Sequence, residues 1–418
     1  MKKVLFLTTR LIYPVNDGRK VVLYNYCKGL VEQHNCEVRL FSILDDNEKV
    51  EQPNFISKVY YSKAPSNYNK IKNIIIKSLL QNKWPIQVSV YYSKKIKSYL
   101  TDVINEFEPD IVICDMARTA EYFKDLDEEK YNKILDMDDI LSKRYNRQAE
   151  SGIISINSIG AYLNRIPSFL KKIAQSNLVM KFIINKEAKL LNRYEIDISN
   201  YYKSIIFVSP VEAKEFNKKI NSNKSIDITI GVDCEYFSKK VANEKKKNFI
   251  VFLGNMYVGH NKDSVKYFLD NVFPKILKDI PNCTLRIVGK CSDDYKIYLE
   301  NYYKNIEVTG EVEDIRKYIQ ECAVSVAPLK YGTGIKTKIL EVMAMGVPVI
   351  TNDIGNEGID LKDNVEAIIE NDDEKLYERI VELLKNEDLQ DTLSLNAKNF
   401  IYENYRWKNI LKKFEKVI

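Results

Sequence analysis

The strongest constraint on this chain is an alternation. Short, continuous apolar runs that end in small polar residues are each followed by a stretch with helical spacing of apolar residues. The chain starts KVLFLTT, and an unbroken apolar run of that kind suits a strand buried on both faces of a parallel sheet. LIYPVNDGRK then reads as a loop with Pro14, Asp17 and Gly18, VVLYNYCKGLVEQ as a helix, and EVRLFSI as the next strand. Further strands are predicted at KVYYS (58–62), DIVICD (110–115), KILDMDD (133–139) and SIIFVS (204–209), with SKKIKSYLTDVINEF as a helix between them. The stretch 154–202 predicts one or two amphipathic helices. Residues 231–248, polar, lysine-rich and without periodicity, read as an interdomain linker. A second series follows: FIVFLG, a helix over SVKYFLDNVFPKIL, TLRIVG, a helix near DYKIYLENYY, IEVTG, DIRKYIQEC, VSVAPL, a helix over KILEVMAM, VPVIT, a short AIIE strand, and closing helices.

Two such series in a chain of 418 residues predict two doubly wound α/β domains, at residues 1–232 and 233–398, with 399–418 as a closing helix. Ligands of such folds bind beyond the carboxyl ends of the strands. A net charge of +6 spread over this length gives no footing for a nucleic-acid partner and suits anionic small ligands or an anionic membrane surface. The seven cysteines form no CxxC, which predicts buried, reduced thiols in a cytoplasmic protein. MKKVLFLTTRLIYPV begins like a signal peptide, but its apolar stretch is broken by TTR and lacks a small-residue cleavage site.

Residues 331–351, YGTGIKTKILEVMAMGVPVIT, lie between a strand and a helix. Gly332 and Gly334 free the backbone for positive φ and close ligand approach. The first amides of the helix have no intrahelical partner and sit at its positive end. Lys336 and Lys338 add side-chain charge. Together they describe a phosphate or diphosphate pocket. The dinucleotide fingerprint would need glycine at Thr337, and a Walker loop would need glycine directly before Lys336 and Thr337, where Ile335 stands. The local chemistry leaves a second reading open, a glycine turn that opens a helix with surface lysines.

The wider stretch resembles the donor-binding signature of family 4 glycosyltransferases, in which such a loop opens a helix carrying glutamate in LEAMA, here Leu340-Glu341-Val342-Met343-Ala344, followed by Gly346 to Ile350. FIVFLGNMYVGHNKDSVKYFLDNVFPKI, LRIVGK, VTGEVEDIRKYIQECAVSVAPL, IGVDCEYF and the terminal YRWKNILKKFEKVI match in order and spacing. The resemblance implies the GT-B fold: two Rossmann-like domains facing a central cleft, acceptor side first and nucleotide-sugar side second, with the terminal helix crossing back to the first. It implies a retaining transfer of sugar from a UDP- or GDP-sugar to a hydroxyl of a glycan or polyprenyl-linked glycan, in bacterial surface polysaccharide synthesis, with no required cofactor or metal. Carried over by position, Glu341 hydrogen-bonds the ribose, a task its two acceptor oxygens suit. Gly332, Gly334, Ile335, Lys336 and Lys338 hold the diphosphate, Asn255 and Gly289 line the nucleotide side, and Gly18 faces the donor from the first domain. Lys336 and Glu341 are the residues assigned to catalysis.

The departures are specific. Many members of the family carry a second glutamate eight positions before Glu341, where Thr333 stands here. An arginine that commonly clasps phosphate is replaced by Asn255, with His260 and Lys262 as candidate substitutes. The chain has two histidines: His34 reads as a surface residue, and His260 as site or surface. Asp136-x-Asp138 has metal-ligand spacing, but Asp138 or Asp139 also suits a helix N-cap, and the segment an acceptor-side role. NKIKNIIIKSLLQNKWPIQ (69–87), basic and apolar with Trp84, reads as a core-facing helix or as one that touches an anionic membrane, placing the protein at its inner face. Rival functions on the same fold are a nucleotide-sugar epimerase, a sugar-phosphate synthase, or a non-catalytic nucleotide-sugar-binding scaffold.

Overall fold

In the computed structural model, residues 1–15, 17–45, 49–151, 177–241, 244–332 and 334–418 are described. They form two units, one of Met1–Thr229 with Leu411–Ile418 and one of Ile230–Ile410. The first unit holds β1 (Lys2–Thr8), β2 (Cys36–Leu44), β3 (Lys58–Lys63), β4 (Ile111–Asp115), β5 (Asn132–Asp138), β6 (Ser204–Phe207) and β7 (Ser225–Asp227). They lie in the order β3-β2-β1-β4-β5-β6-β7, every neighbouring pair parallel. Val4–Leu7 run beside Ile111–Cys114, all eight fully or almost fully buried, so the apolar runs are unbroken because both faces are covered. β7 escapes the sequence reading because it is three residues long with only Ser225 buried.

The second unit holds β8 (Lys246–Leu253), β9 (Thr284–Val288), β10 (Ile306–Gly310), β11 (Cys322–Ala327), β12 (Val349–Thr351) and β13 (Ile368–Ile369). Their order is β10-β9-β8-β11-β12-β13, again parallel throughout. Each sheet therefore reverses its strand order once, between β1 and β4 and between β8 and β11. Such reversals open the crevice in which α/β folds hold ligands.

Local chemistry sets the helix boundaries. Asp17 caps Gly18–Glu32 through Lys20 N, Ser209 caps Pro210–Ile220 with proline in its first turn, and Asp372 caps Asp373–Lys385. The 231–248 segment, read as an interdomain linker, belongs to the second unit; its described residues include the helix Cys234–Ser238, capped by Asp233, and the start of β8 at Lys246, and Val232 N donates to Tyr405 O at 2.7 Å. Within 154–202, the helix Asn177–Ser199 is described and the remainder before Asn177 lies outside the described residues. Its buried Glu187 accepts the amides of Ile86 (2.6 Å) and Gln87 (3.1 Å), and its buried Glu195 accepts Ser142 N at 2.9 Å. Each carboxylate fills the orphan amides of a neighbouring helix start.

The chain end does not form one helix over 399–418. Glu387–Asn404 is followed by Trp407–Leu411 and a 3-10 turn, Lys412–Lys416. That last turn packs in the first unit: Phe414 is fully buried edge-on to Tyr26, ring centroids 5.2 Å apart. Asn132 Nδ2 donates to Val417 O at 2.7 Å. His34, read as a surface residue, is half-buried and its Nε2 lies 2.8 Å from Leu411 O. Six of the seven cysteines are buried, and all are unpaired.

Candidate functional site

The reversal between β8 and β11 lies in the second unit. β8 ends at Leu253, and Gly254 and Asn255 follow. β9 ends at Val288, and Gly289 follows with φ +135; a Cβ there would lie 2.3 Å from Gly254 O. Glycine is thus required at 289 both by φ and by contact. β11 ends at Ala327 and leads through residues 328–336 into the helix Thr337–Met345. Gly332 takes φ +146 and Gly334 φ +72, so the loop uses the left-handed freedom expected of it. Thr333 lies outside the described residues. Among the described residues, no side chain caps Thr337–Met345 or Gly259–Asn271, the helices that follow β11 and β8. Ile339 N bonds Lys336 O at 2.9 Å and Asn261 N bonds Val258 O at 3.1 Å, while the amides that precede these at each helix start have no intrahelical acceptor.

Two lysines and a histidine gather at this uncapped end. Lys336 is 7% exposed; its Nζ donates to Gly334 O at 2.5 Å and lies 4.0 Å from Glu357 Oε2. Lys338 Nζ donates to Asn261 Oδ1 at 2.7 Å. The buried Asn261 in turn donates to Asn255 O at 3.0 Å, tying the β8 and β11 loops together. Burial, with Lys336 adding like-charge repulsion, pushes the Lys338 amine down to about 7. Burial first, then Lys338 and Lys336, pushes His260 down to about 4, so its imidazole is neutral at pH 7. His260 sits in the first turn of Gly259–Asn271 rather than in a loop, edge-on to Tyr331 with centroids 6.3 Å apart. Ile335 is half-buried in the loop. Lys262 does not join the group. It is exposed with its Nζ 4.3 Å from the centre of the Tyr295 ring.

Glu341 stands three residues beyond Lys338 on one helix, spacing that shares a face. Its carboxyl is pushed up to about 7 by desolvation alone. Among the described residues, no donor or cation is paired with that carboxylate. A desolvated acid without a partner is costly to keep, and hydroxyls delivered by a ligand would satisfy it.

Gly18 and Asp138 belong to the first unit. Gly18 is the first residue of Gly18–Glu32, not a loop glycine, and a Cβ there would meet nothing within 4 Å. Asp138 is not a helix cap. Its Oδ1 accepts Arg19 Nη1 at 2.8 Å, because a register shift in β5 and φ 67 at Asp138 turn the carboxylate to the strand ends. The same guanidinium holds Asp115 Oδ1 at 2.7 Å and Asp136 Oδ2 at 2.7 Å. The sequence reading missed Arg19 and Asp115. The available signal was position: Arg19 opens the helix after β1 and Asp115 ends β4, the strands that flank the reversal. Burial first, then repulsion from Asp115 and Asp138 against the pull of Arg19, lifts Asp136 to about 7. Asp115 is held below the usual carboxylate range: burial opposes this, and Arg19, Arg10 and Arg118 outweigh it. The carboxylate spacing that suits a metal is thus filled by a guanidinium.

Comparison with known proteins meets this geometry. Residues 247–386 match the family model described as glycosyl transferases group 1. A Klebsiella pneumoniae protein described as an uncharacterised 44.6 kDa protein in the cps region is 23% identical over 98% of both chains. An uncharacterised glycosyltransferase of Methanocaldococcus jannaschii is 30% identical over 43% of this chain and 47% of its own. The crystal structure of HepE from Anabaena in complex with UDP superposes with a TM-score of 0.61 at 11% identity, covering 100% of this chain and 99% of that one. The fold is the two-domain α/β architecture called GT-B. By its matched segment, residues 247–386, the chain is a glycosyltransferase.

Proposed function

We propose that the protein transfers a sugar from a nucleotide-diphosphate sugar to a hydroxyl of a glycan or lipid-linked glycan, with retention, in polysaccharide synthesis. The observation that carries the donor half is Glu341: a half-buried carboxylate, unpaired among the described residues and raised by desolvation, on a helix whose start, uncapped among the described residues, carries Lys336 and Lys338. In this reading Glu341 accepts the two ribose hydroxyls. The amides near Gly332, Gly334 and Ile335, with Lys336 and Lys338, hold the diphosphate, while Asn255 and Gly289 border the nucleotide. In this reading the unit Ile230–Ile410, rather than 233–398, is the donor domain, and the unit Met1–Thr229 with Leu411–Ile418, which carries Gly18 and Asp138, is the acceptor domain. The bond between the sugar's anomeric carbon and the diphosphate breaks and a bond to the acceptor oxygen forms. The acceptor's proton passes to the leaving diphosphate, whose charge the lysines and helix amides stabilise. A neutral His260 fits a mechanism with no histidine base. The UDP complex of HepE supports a uridine donor, and the cps-region relative supports a polysaccharide product.

Isothermal titration with UDP- and GDP-sugars tests the assignment. Glu341→Ala should weaken donor binding roughly 10- to 100-fold, the loss expected for hydrogen bonds to a charged group. Unchanged affinity would refute it.

A further inference from the structure

Asn261 stands in the first turn of Gly259–Asn271 and is 5% exposed. It makes no donor contact in the reading above, yet both ends of its carboxamide are engaged. Oδ1 accepts Lys338 Nζ at 2.7 Å, and Nδ2 donates to Asn255 O at 3.0 Å. The opposite orientation would set an N–H against the lysine amine and an oxygen against a carbonyl, so the two partners fix which atom is which.

The backbone is cleared for this amide. A Cβ at Gly254 would lie 2.9 Å from Asn261 Cγ and 3.0 Å from its Nδ2. Gly254 O in turn fills the space that a Cβ at Gly289 would need. Glycines after β8 and β9 thus seat one side chain. The turn after β8 has bonds of its own: Asn255 Oδ1 accepts Tyr257 N at 2.9 Å, and Asn255 O accepts Val258 N at 3.1 Å. What Asn261 adds is a link from that turn to Lys338.

The chemistry of the link is selective. Lys338 Nζ lies 4.6 Å from the centre of the Phe252 ring, and its hydrogen-bond acceptor among the described residues is a neutral amide. An aspartate at 261 would also accept from the amine, but it would neutralise the ammonium and, ionised, could not donate to Asn255 O. An aliphatic residue would leave the amine unplaced. Asparagine fixes its position and leaves its charge unanswered. We propose that Asn261 is a positioning residue of the donor site: it holds the Lys338 amine in place without neutralising it, so that the diphosphate is the counter-ion. The inference rests on the donor reading.

The test has two arms, both on the full chain. The first contains no nucleotide sugar. It follows acetylation of Lys338 against pH by mass spectrometry. The other charged or titratable groups around this amine are Lys336, Glu341 on its own helix, and His260 and Asp263 from the helix that carries Asn261. All are kept in Asn261→Asp, which should move the Lys338 midpoint up by about one pH unit or more, as an opposite charge in contact does. An unmoved midpoint would overturn the inference. The second arm is calorimetric titration with UDP-glucose and GDP-glucose. Asn261→Leu should weaken binding of the better donor roughly tenfold. Once Lys338→Met has removed the amine, the same change should alter affinity by less than about twofold. Equal losses in both backgrounds would make Asn261 merely structural and overturn the inference, with the donor reading intact. Wild type that binds neither sugar nucleotide would overturn the donor reading itself, and this inference with it.

Discussion

At the β1–β4 reversal one guanidinium is shared by three carboxylates, at 2.7 to 2.8 Å from each. At the β8–β11 reversal two lysines converge on an uncapped helix start, and the carboxylate on that helix is paired with neither. The same topological position is handled in opposite ways. In the first unit charge is answered by charge within the protein. In the second, a depressed amine and a raised carboxyl stand in one helix without neutralising each other. Buried polar groups ordinarily find partners, so groups kept apart at a cost mark the place where a ligand completes the set. This contrast is why the second reversal carries the donor reading, although both occupy the ligand-binding edge of their sheets.

The largest expected effect breaks the first half of the contrast. If Arg19 is the internal counter-ion, Arg19→Leu leaves Asp115, Asp136 and Asp138 facing one another without it, a loss of about 3–5 kcal/mol. Urea denaturation followed by circular dichroism at pH 7.5 should show it. The loss should shrink at pH 5, because Asp136, already lifted to about 7 beside Arg19, is then protonated. A loss under 1 kcal/mol would mean that the carboxylates are not charge-balanced by Arg19.

Much of this is legible in the sequence. The strands and the glycine loop follow from unbroken apolar runs and from Gly332 and Gly334, which report local backbone needs. What sequence could not supply was pairing across distance. Arg19 and Asp115 are 96 residues apart, and only the parallel register of β1 and β4 brings their strand ends together. Asn261, which holds Lys338, was hidden for the same reason. Asp138 misled because its spacing suits a metal ligand or a cap, while its φ, set by the bulge in β5, sends it to Arg19. Lys262 reads as a phosphate-binding candidate from its place beside the site loop, whereas its Nζ lies over the Tyr295 ring, a pairing across sequence that spacing does not show.

The next effect has the opposite sign. Glu341 has a folded pKa raised to about 7 by desolvation, so its stabilising contribution is present at low pH and is lost as pH rises through 7. Glu341→Gln removes the ionisable group. Without ligand the variant should therefore be more stable than wild type at pH 8, by about 1–2 kcal/mol, and nearly equal to it at pH 5. Thermal melts at both pH values would show the gap open and close. A variant less stable at pH 8 would mean that the carboxylate has a structural partner, and the contrast with Arg19 would collapse.

The smallest effect sharpens the second half. Lys338, lowered to about 7, is mostly neutral above that pH in the free protein, yet a diphosphate favours its charged form. Binding then takes up a proton, and affinity should fall as pH rises from 6.5 to 8.5. UDP-glucose is the suitable probe, because its diphosphate has no group titrating in that range. His260, at about 4, stays neutral throughout. Glu341 titrates in the same window with the opposite influence, since its ionised form is the better acceptor of hydroxyls. The informative quantity is therefore the ratio of wild type to Lys338→Arg, whose guanidinium remains charged. That ratio should drop roughly tenfold across the window, about 1.4 kcal/mol. A flat ratio would mean that Lys338 keeps its proton without ligand, held by Asn261, and that the second reversal is less electrostatically incomplete than its geometry implies.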